Sequence, residues 1–109
     1  MNNSLQIFTY NSNEVRTVEK DDEVWFVAKD VCNVLDIQNT TQVIQNLDED
    51  ERAMFYIGRQ GEADIISESG LYALILRSNK PEAKAFSRWV RKEVLPIIRK
   101  TGQFSINQE

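Results

Sequence analysis

Seven cations toward the end of this chain have the type to hold phosphate: Arg77, Lys80, Lys84, Arg88, Arg91, Lys92 and Arg99. Lys84, Arg88, Arg91, Lys92 and Arg99 recur at spacings that gather them on one side of a helix turning about 100° per residue. Lysine and arginine neutralise phosphate and release its counterions, so contact of this kind is tight at low salt and weak at high salt. A solvated helix face carries similar charges, and the row alone does not separate the two. The charge distribution sharpens the reading. Residues 1–76 hold 14 acids against 5 bases, a net of −9. Residues 77–100 hold 8 bases against 2 acids, a net of +6. The whole chain is at −4, so the cations form a local basic footprint on an acidic body rather than a general polyanion binder.

Other chemistries find less support. The 109 residues include no histidine, the commonest general base near neutral pH. With one cysteine and no histidine, Ser-His pairs, Cys-His pairs and the usual nitrogen and sulfur zinc sites cannot be assembled. Cys32 reads as a small core hydrophobe; Lys29, one turn earlier, is a poor activator for it. Asp48, Glu49, Asp50 and Glu51 run consecutively, but no glycine-bearing calcium-loop pattern surrounds them, so a solvated acidic turn is expected. Asp64 and Glu68 are candidate paired acids, yet nothing orients them and no glycine loop cradles phosphate. The chain is therefore expected not to be an enzyme and to need no metal or cofactor. The lone cysteine, the lack of a membrane-length apolar run and the polar N-terminus point to the cytoplasm.

The cations need a frame. Residues 5–10, 15–20 and 24–27 alternate or are rich in β-formers, and clusters at 11–13 and at Asp21 and Asp22 turn the chain between them. This predicts an antiparallel unit of three strands. Helical spacing follows over residues 28–35, with Val27, Val31, Val34 and Leu35 on one face. A second short helix, capped by Thr40 or Thr41, carries Val43, Ile44 and Leu47. Residues 53–58 and 63–67 form a second hairpin, with Gly61 supplying a positive φ. Ser67 or Ser69 caps a helix from near Gly70 that is apolar on most sides through Leu71, Tyr72, Leu74 and Ile75. Asn79 caps, and Pro81 opens, a long helix. Its apolar stripe runs Ala83, Phe86, Val90, Val94, Ile97, with a kink near Lys92 caused by Pro96 and a stop at Gly102. Leu95 and Ile98 fall off that stripe and need cover, which predicts a homodimer. Trp89 lies beside both faces and is assigned to packing before base stacking. The fold class is α+β: antiparallel hairpins packed with short helices and one long C-terminal amphipathic helix.

Two blocks carry a resemblance. One is Trp25-Phe26-Val27-Ala28-Lys29-Asp30-Val31-Cys32-Asn33-Val34-Leu35. The other runs Ser67-Glu68-Ser69-Gly70-Leu71-Tyr72-Ala73-Leu74-Ile75-Leu76-Arg77-Ser78 and then from Ala83 to Gly102. Together they resemble the Bro-N domain of phage antirepressors and of the baculovirus repeated-open-reading-frame proteins. The resemblance implies one domain over residues 1–109 with its core at about 5–102. Residues 103–109 then read as a polar tail leading toward a C-terminal domain. It also implies a viral or prophage regulator that binds DNA and relieves repression in a host bacterial cytoplasm.

The expected function is a DNA-binding regulatory domain of an antirepressor-like protein, gripping phosphates through Arg77, Lys80, Lys84, Arg88, Arg91, Lys92 and Arg99. The alternative is a protein-interaction module whose acidic body binds and inactivates a repressor without touching DNA. The expected partners are thus DNA, a repressor protein and a second copy of the chain, with no membrane.

Overall fold

The first two reversals of the chain are two-residue turns built from residues that tolerate left-handed backbone. Asn11 and Ser12 have φ of 49° and 69°, and Asp21 and Asp22 have 54° and 63°. Positive φ at both central residues is the type I′ geometry, whose twist matches that of the flanking strands. The strands β1 (Gln6–Tyr10), β2 (Asn13–Lys20) and β3 (Glu23–Val27) are thereby locked in antiparallel register, with Phe8 opposite Val15 and Val18 opposite Trp25. The computed structural model describes residues 5–58, 61–78 and 80–101. The expected cap at Asn79 and stop at Gly102 lie outside them.

The second hairpin, β4 (Arg52–Tyr56) and β5 (Glu62–Ser67), does not stand apart. β5 pairs antiparallel with the free edge of β3, with Phe26 opposite Ile66, giving one sheet in the order β1-β2-β3-β5-β4. Gly61, with φ of 79°, helps the hairpin turn. Each face of the sheet has its own apolar cluster. Val15, Phe26 and Ile66 join the helices in the main core, while Val18, Trp25, Val27 and Ile65 form a smaller one with Phe55 and Ala63. Val27 thus ends β3 and packs in the smaller cluster, not on the helical face with Val31 and Leu35, because a strand's alternation fixes its side before the helix begins.

Helix α1 (Ala28–Leu35) follows β3 without a loop. Arg16 on β2 ties it down. Its Nε and a terminal guanidinium nitrogen donate to the two oxygens of Asp30 at 2.8 and 2.9 Å, and its backbone N–H donates to the same carboxylate at 2.9 Å. The pair is largely shielded, with 14% and 7% side-chain exposure, and a two-pronged charge-assisted contact of this kind fixes angle as well as distance. Cys32 is buried, and burial pushes its thiol up, as expected for a packing cysteine. Asp36, in left-handed backbone, ends α1, with the Ile37 N–H donating to the Cys32 carbonyl at 2.8 Å.

Helix α2 (Thr40–Gln45) is capped by Asn39, whose side-chain oxygen accepts from the Gln42 N–H, rather than by Thr40 or Thr41. The cap is one residue earlier than expected because asparagine does the same work as threonine. The acidic run forms a 3₁₀ turn, Glu49–Glu51. Asp48, Glu49 and Asp50 are exposed, but Glu51 accepts from the Asp48 N–H at 3.1 Å and from the Ser69 hydroxyl at 2.7 Å. Helix α3 (Glu68–Arg77) starts two residues before Gly70, with Ser67 as its cap. Gly70 lets the turn approach: a Cβ there would lie 3.0 Å from the Glu51 carbonyl oxygen.

The last helical run has three parts: α4 (Pro81–Trp89), a π turn (Val90–Val94) and α5 (Leu95–Thr101). Pro81 opens it, preceded by Lys80. The π turn sits where Pro96 lacks an N–H for the Lys92 carbonyl, and the Leu95 N–H reaches back to Val90 instead. Ala83, Phe86, Val90 and Val94 are buried as expected, but beyond the turn the face changes. Leu95 and Ile98 are buried at 4% each, and Ile97 is 44% exposed. The wider turn takes an extra residue to come round, so the stripe continues at 98 rather than 97. Leu95 and Ile98 are covered within the chain, which removes the reason given above for a homodimer.

Replacing Asp30 with Ala strands the Arg16 guanidinium in a shielded site. Unfolding stability should fall by about 3 kcal/mol, the lower range for breaking a buried pair, read from the denaturant midpoint. A midpoint equal to that of the parent would show that the fork holds nothing.

Candidate nucleic-acid interface

A cation contacts a polyanion only if it is presented outward and is not already neutralised. The inner side of α4 is anchored by Ala83, Phe86 and Val90. Trp89, half-buried, packs its ring 4.8 Å from that of Tyr10, 5.8 Å from Phe86 and 6.3 Å from Phe8. These aromatic contacts tie α4 to β1 and commit Trp89 to packing, in line with the first of its two assignments.

With that side held, the seven sequence-predicted cations are all exposed, but they do not form one set. Lys84, Arg88, Arg91 and Lys92 project from α4 and the π turn, and among the described residues none has a carboxylate within ion-pair distance. Arg91 Nε donates to the Ser87 hydroxyl at 3.4 Å, which leaves its charge available. Lys80 is different: its Nζ is 2.6 Å from Asp36, and the bond to Lys80 holds that carboxyl below its usual range. Arg77 and Lys80 border a cleft of about 340 Å³ floored by Leu35, Ile37, Val43 and Leu74. Arg99 borders another, of about 230 Å³, whose lining also includes the acids Asp22, Glu23 and Glu68, with no ion pair to it among the described residues. Arg77 and Arg99 have no ion pair among the described residues either; Lys84, Arg88, Arg91 and Lys92 are the unpaired cations carried together by α4 and the π turn.

Tyr72 joins this neighbourhood although nothing in its sequence context marks it. Burial pushes its phenol up, the Glu68 carboxylate adds to the rise, and Arg91 and Arg99 pull it down. One hydroxyl thus feels a cation from the π turn and another from α5. α3 packs against α4, and one-dimensional spacing carries no sign of that.

The acids considered for catalysis are not brought together. Asp64 lines a cleft of about 520 Å³ with Arg16, Lys29, Met54 and Glu62, and Glu68 lines the one beside Arg99. Among the described residues no group of three or more cysteine, aspartate or glutamate side chains is placed to hold a metal ion. Nor is any described helix long and apolar enough to cross a membrane.

Residues 14–96 match the family described as the BRO family, N-terminal domain. The chain belongs to this family. It is 35% identical to an uncharacterized protein of Haemophilus influenzae, over all of this chain and 58% of that protein. It is also 31% identical to putative Bro-N domain-containing protein 019R of invertebrate iridescent virus 3, over 81% of this chain and 28% of that protein. A third relative, putative Bro-N domain-containing protein 289L of invertebrate iridescent virus 6, is 30% identical over 94% of this chain and 30% of its own length. The chain thus spans less than two thirds of each of these relatives. No solved structure matches it.

The Bro-N match ends at residue 96, so it includes the four unpaired cations of α4 and the π turn, and Tyr72, but not Arg99. Because the folded phenol titrates above its ordinary value of 10.0, Tyr72 favours the folded state below that pH and ceases to as pH rises through its raised value. Alkaline titration followed by circular dichroism should show this loss, and Tyr72→Phe should remove it. A variant that loses stability along the same alkaline curve as the parent would contradict the placement of the hydroxyl.

Proposed function

We propose that this Bro-N domain is a DNA-binding regulatory domain of an antirepressor-like protein, not a catalyst, and that it holds duplex phosphates through α4 and the π turn. One observation carries the reading: Lys84, Arg88, Arg91 and Lys92 are outward and have no carboxylate in ion-pair reach among the described residues. Arg99 and Arg77 extend the positive surface at its flanks, Arg99 attenuated by nearby acids. Lys80 contributes least, because Asp36 already holds it. Phosphate contacts of this kind position a domain and carry no sequence information by themselves.

A second reading keeps one specific support. Asp48, Glu49 and Asp50 are exposed together, and the turn carrying them is fastened to α3 through Glu51 and Ser69. A rigid acidic knob suits a basic protein surface such as that of a repressor, and in this reading the domain does not touch DNA.

Titrating the chain against duplex DNA at several salt concentrations decides between them. With four phosphates engaged, log K should fall with log salt at a slope of about −3.6. Changing Lys84, Arg88 and Arg91 together to Ala should flatten that slope by about 3 and leave the melting temperature near the parent's, since all three are exposed. Absence of binding at low salt, or affinity indifferent to salt, would falsify the phosphate contact and leave the acidic-knob reading.

A further inference from the structure

Strand β4 is an unguarded edge. It ends the sheet, and among the described residues only β5 pairs with it. The Ile57 N–H donates to the Gly61 carbonyl at 2.9 Å, so Ile57 turns its backbone toward β5. Backbone direction alternates along an antiparallel strand, so Phe55 and Ala53 also face β5, while Met54 and Tyr56 turn their N–H and C=O groups away from it. The side chains of Arg52, Met54 and Tyr56 share the sheet face that carries Phe26 and Ile66, because Arg52 lies opposite Ile66 in the register. Met54 is 53% and Tyr56 68% exposed, neighbours along one edge. Leu76 and Ile97, also exposed, stand singly on helices. Sheet edges are commonly guarded by lysine, proline or a bulge. β4 reads Arg-Ala-Met-Phe-Tyr in unbroken register and has none of these.

We propose that β4 pairs antiparallel with β4 of a second copy of this chain, about a two-fold axis at Met54. In that register the strand is complementary to itself. Met54 exchanges both backbone hydrogen bonds with the partner's Met54, and the Tyr56 N–H reaches the carbonyl of the partner's Arg52. The side chain of the partner's Arg52 lies beside Tyr56, which has Glu62 opposite it on its other side. Within one chain Arg52 and Glu62 make no ion pair among the described residues, and the buried Arg52 Nε has no acceptor there. The two-fold sets this cation against a ring and within reach of a carboxylate, once on each side of the axis. Any extended segment supplies main-chain bonds; the second copy also supplies the ring and the carboxylate that Arg52 lacks in its own chain. Clefts of about 430 and 520 Å³, both lined in part by Met54, leave room for the partner's side chains. The opposite edge strand, β1, exposes Ile7, but the charge across from Ile7, Arg16, is already bound to Asp30. A contact from β1 to β4 would also add copies without closing, whereas the two-fold closes at two. This surface is distinct from Leu95 and Ile98, and the pairing does not rest on DNA contact. Because α4 packs on the face that carries Phe26 and Ile66, the two α4 helices of the pair lie on one side of a continuous sheet.

Sedimentation equilibrium of the parent chain from about 1 μM to about 1 mM should show a species of twice 12.6 kDa and none larger. Met54→Pro and Met54→Lys should sediment as monomers over the same range. Both should keep the parent's melting temperature at the dilute end, because the N–H at 54 lies outside the sheet's own ladder and the side chain is exposed. Arg52→Glu should weaken dimerisation about tenfold, and adding Glu62→Arg should recover most of the loss. Met54→Cys should give a disulfide-linked dimer on mild oxidation, since opposed α-carbons in such a pair are about 5.5 Å apart and the native Cys32 is buried. Ile7→Cys should not cross-link. A parent that stays monomeric throughout, or that grows past the dimer, overturns the proposal. So does a dimer that both Met54→Pro and Met54→Lys leave intact, or one that cross-links through Ile7→Cys instead of Met54→Cys. Failure of the charge-exchanged double variant to recover overturns the register at Met54.

Discussion

The π turn between Val90 and Val94 decides which side of the last helical run faces inward over its final turns. Proline at 96 cannot donate to the Lys92 carbonyl, and its ring crowds that carbonyl. A wider turn relieves both problems while the chain stays helical. The consequence is rotational: Leu95 and Ile98 swing onto the core and Ile97 swings out. A straight helix would have left Leu95 and Ile98 off the buried stripe.

The rest of the frame makes that run a fixed platform. Its inner side is held at one end by the ring cluster of Phe8, Tyr10, Phe86 and Trp89, and further along by Leu95 and Ile98. The Arg16–Asp30 fork sets α1 against the sheet, and Glu51 with Ser69 sets the acidic turn against α3. Each of these contacts joins elements far apart in sequence. They leave the cations of α4 on the outside, with little choice of neighbour.

Much of this was legible from the residues. Alternation and turn chemistry located the strands, since Asn11-Ser12 and Asp21-Asp22 are residue pairs that accept positive φ. The apolar spacing that begins in α4 holds through Val94 in the π turn, and Pro96 marks the place where straight-helix geometry ceases to describe the run. What could not be read was pairing at a distance. Nothing local to Asp36 and Lys80, which are 44 residues apart, says that they meet, yet their meeting takes one of the seven cations out of the free set. The acids that share a cleft with Arg99 come from the β2–β3 turn, the start of β3 and α3, again remote in sequence.

By itself the sequence determined the type and order of the elements, the separation of an acidic body from a basic end, and the lack of histidine chemistry. These depend on residue identity and on spacing within one turn or one strand, where backbone geometry is fixed. Tertiary structure alone decided that β5 closes onto β3 to make one sheet, that the last helix turns Ile98 rather than Ile97 inward, and that the cations divide into free and engaged sets. Those outcomes depend on which surfaces exclude water against each other and which opposite charges come within a few ångströms. Such choices are made between segments, and spacing along a single segment does not encode them.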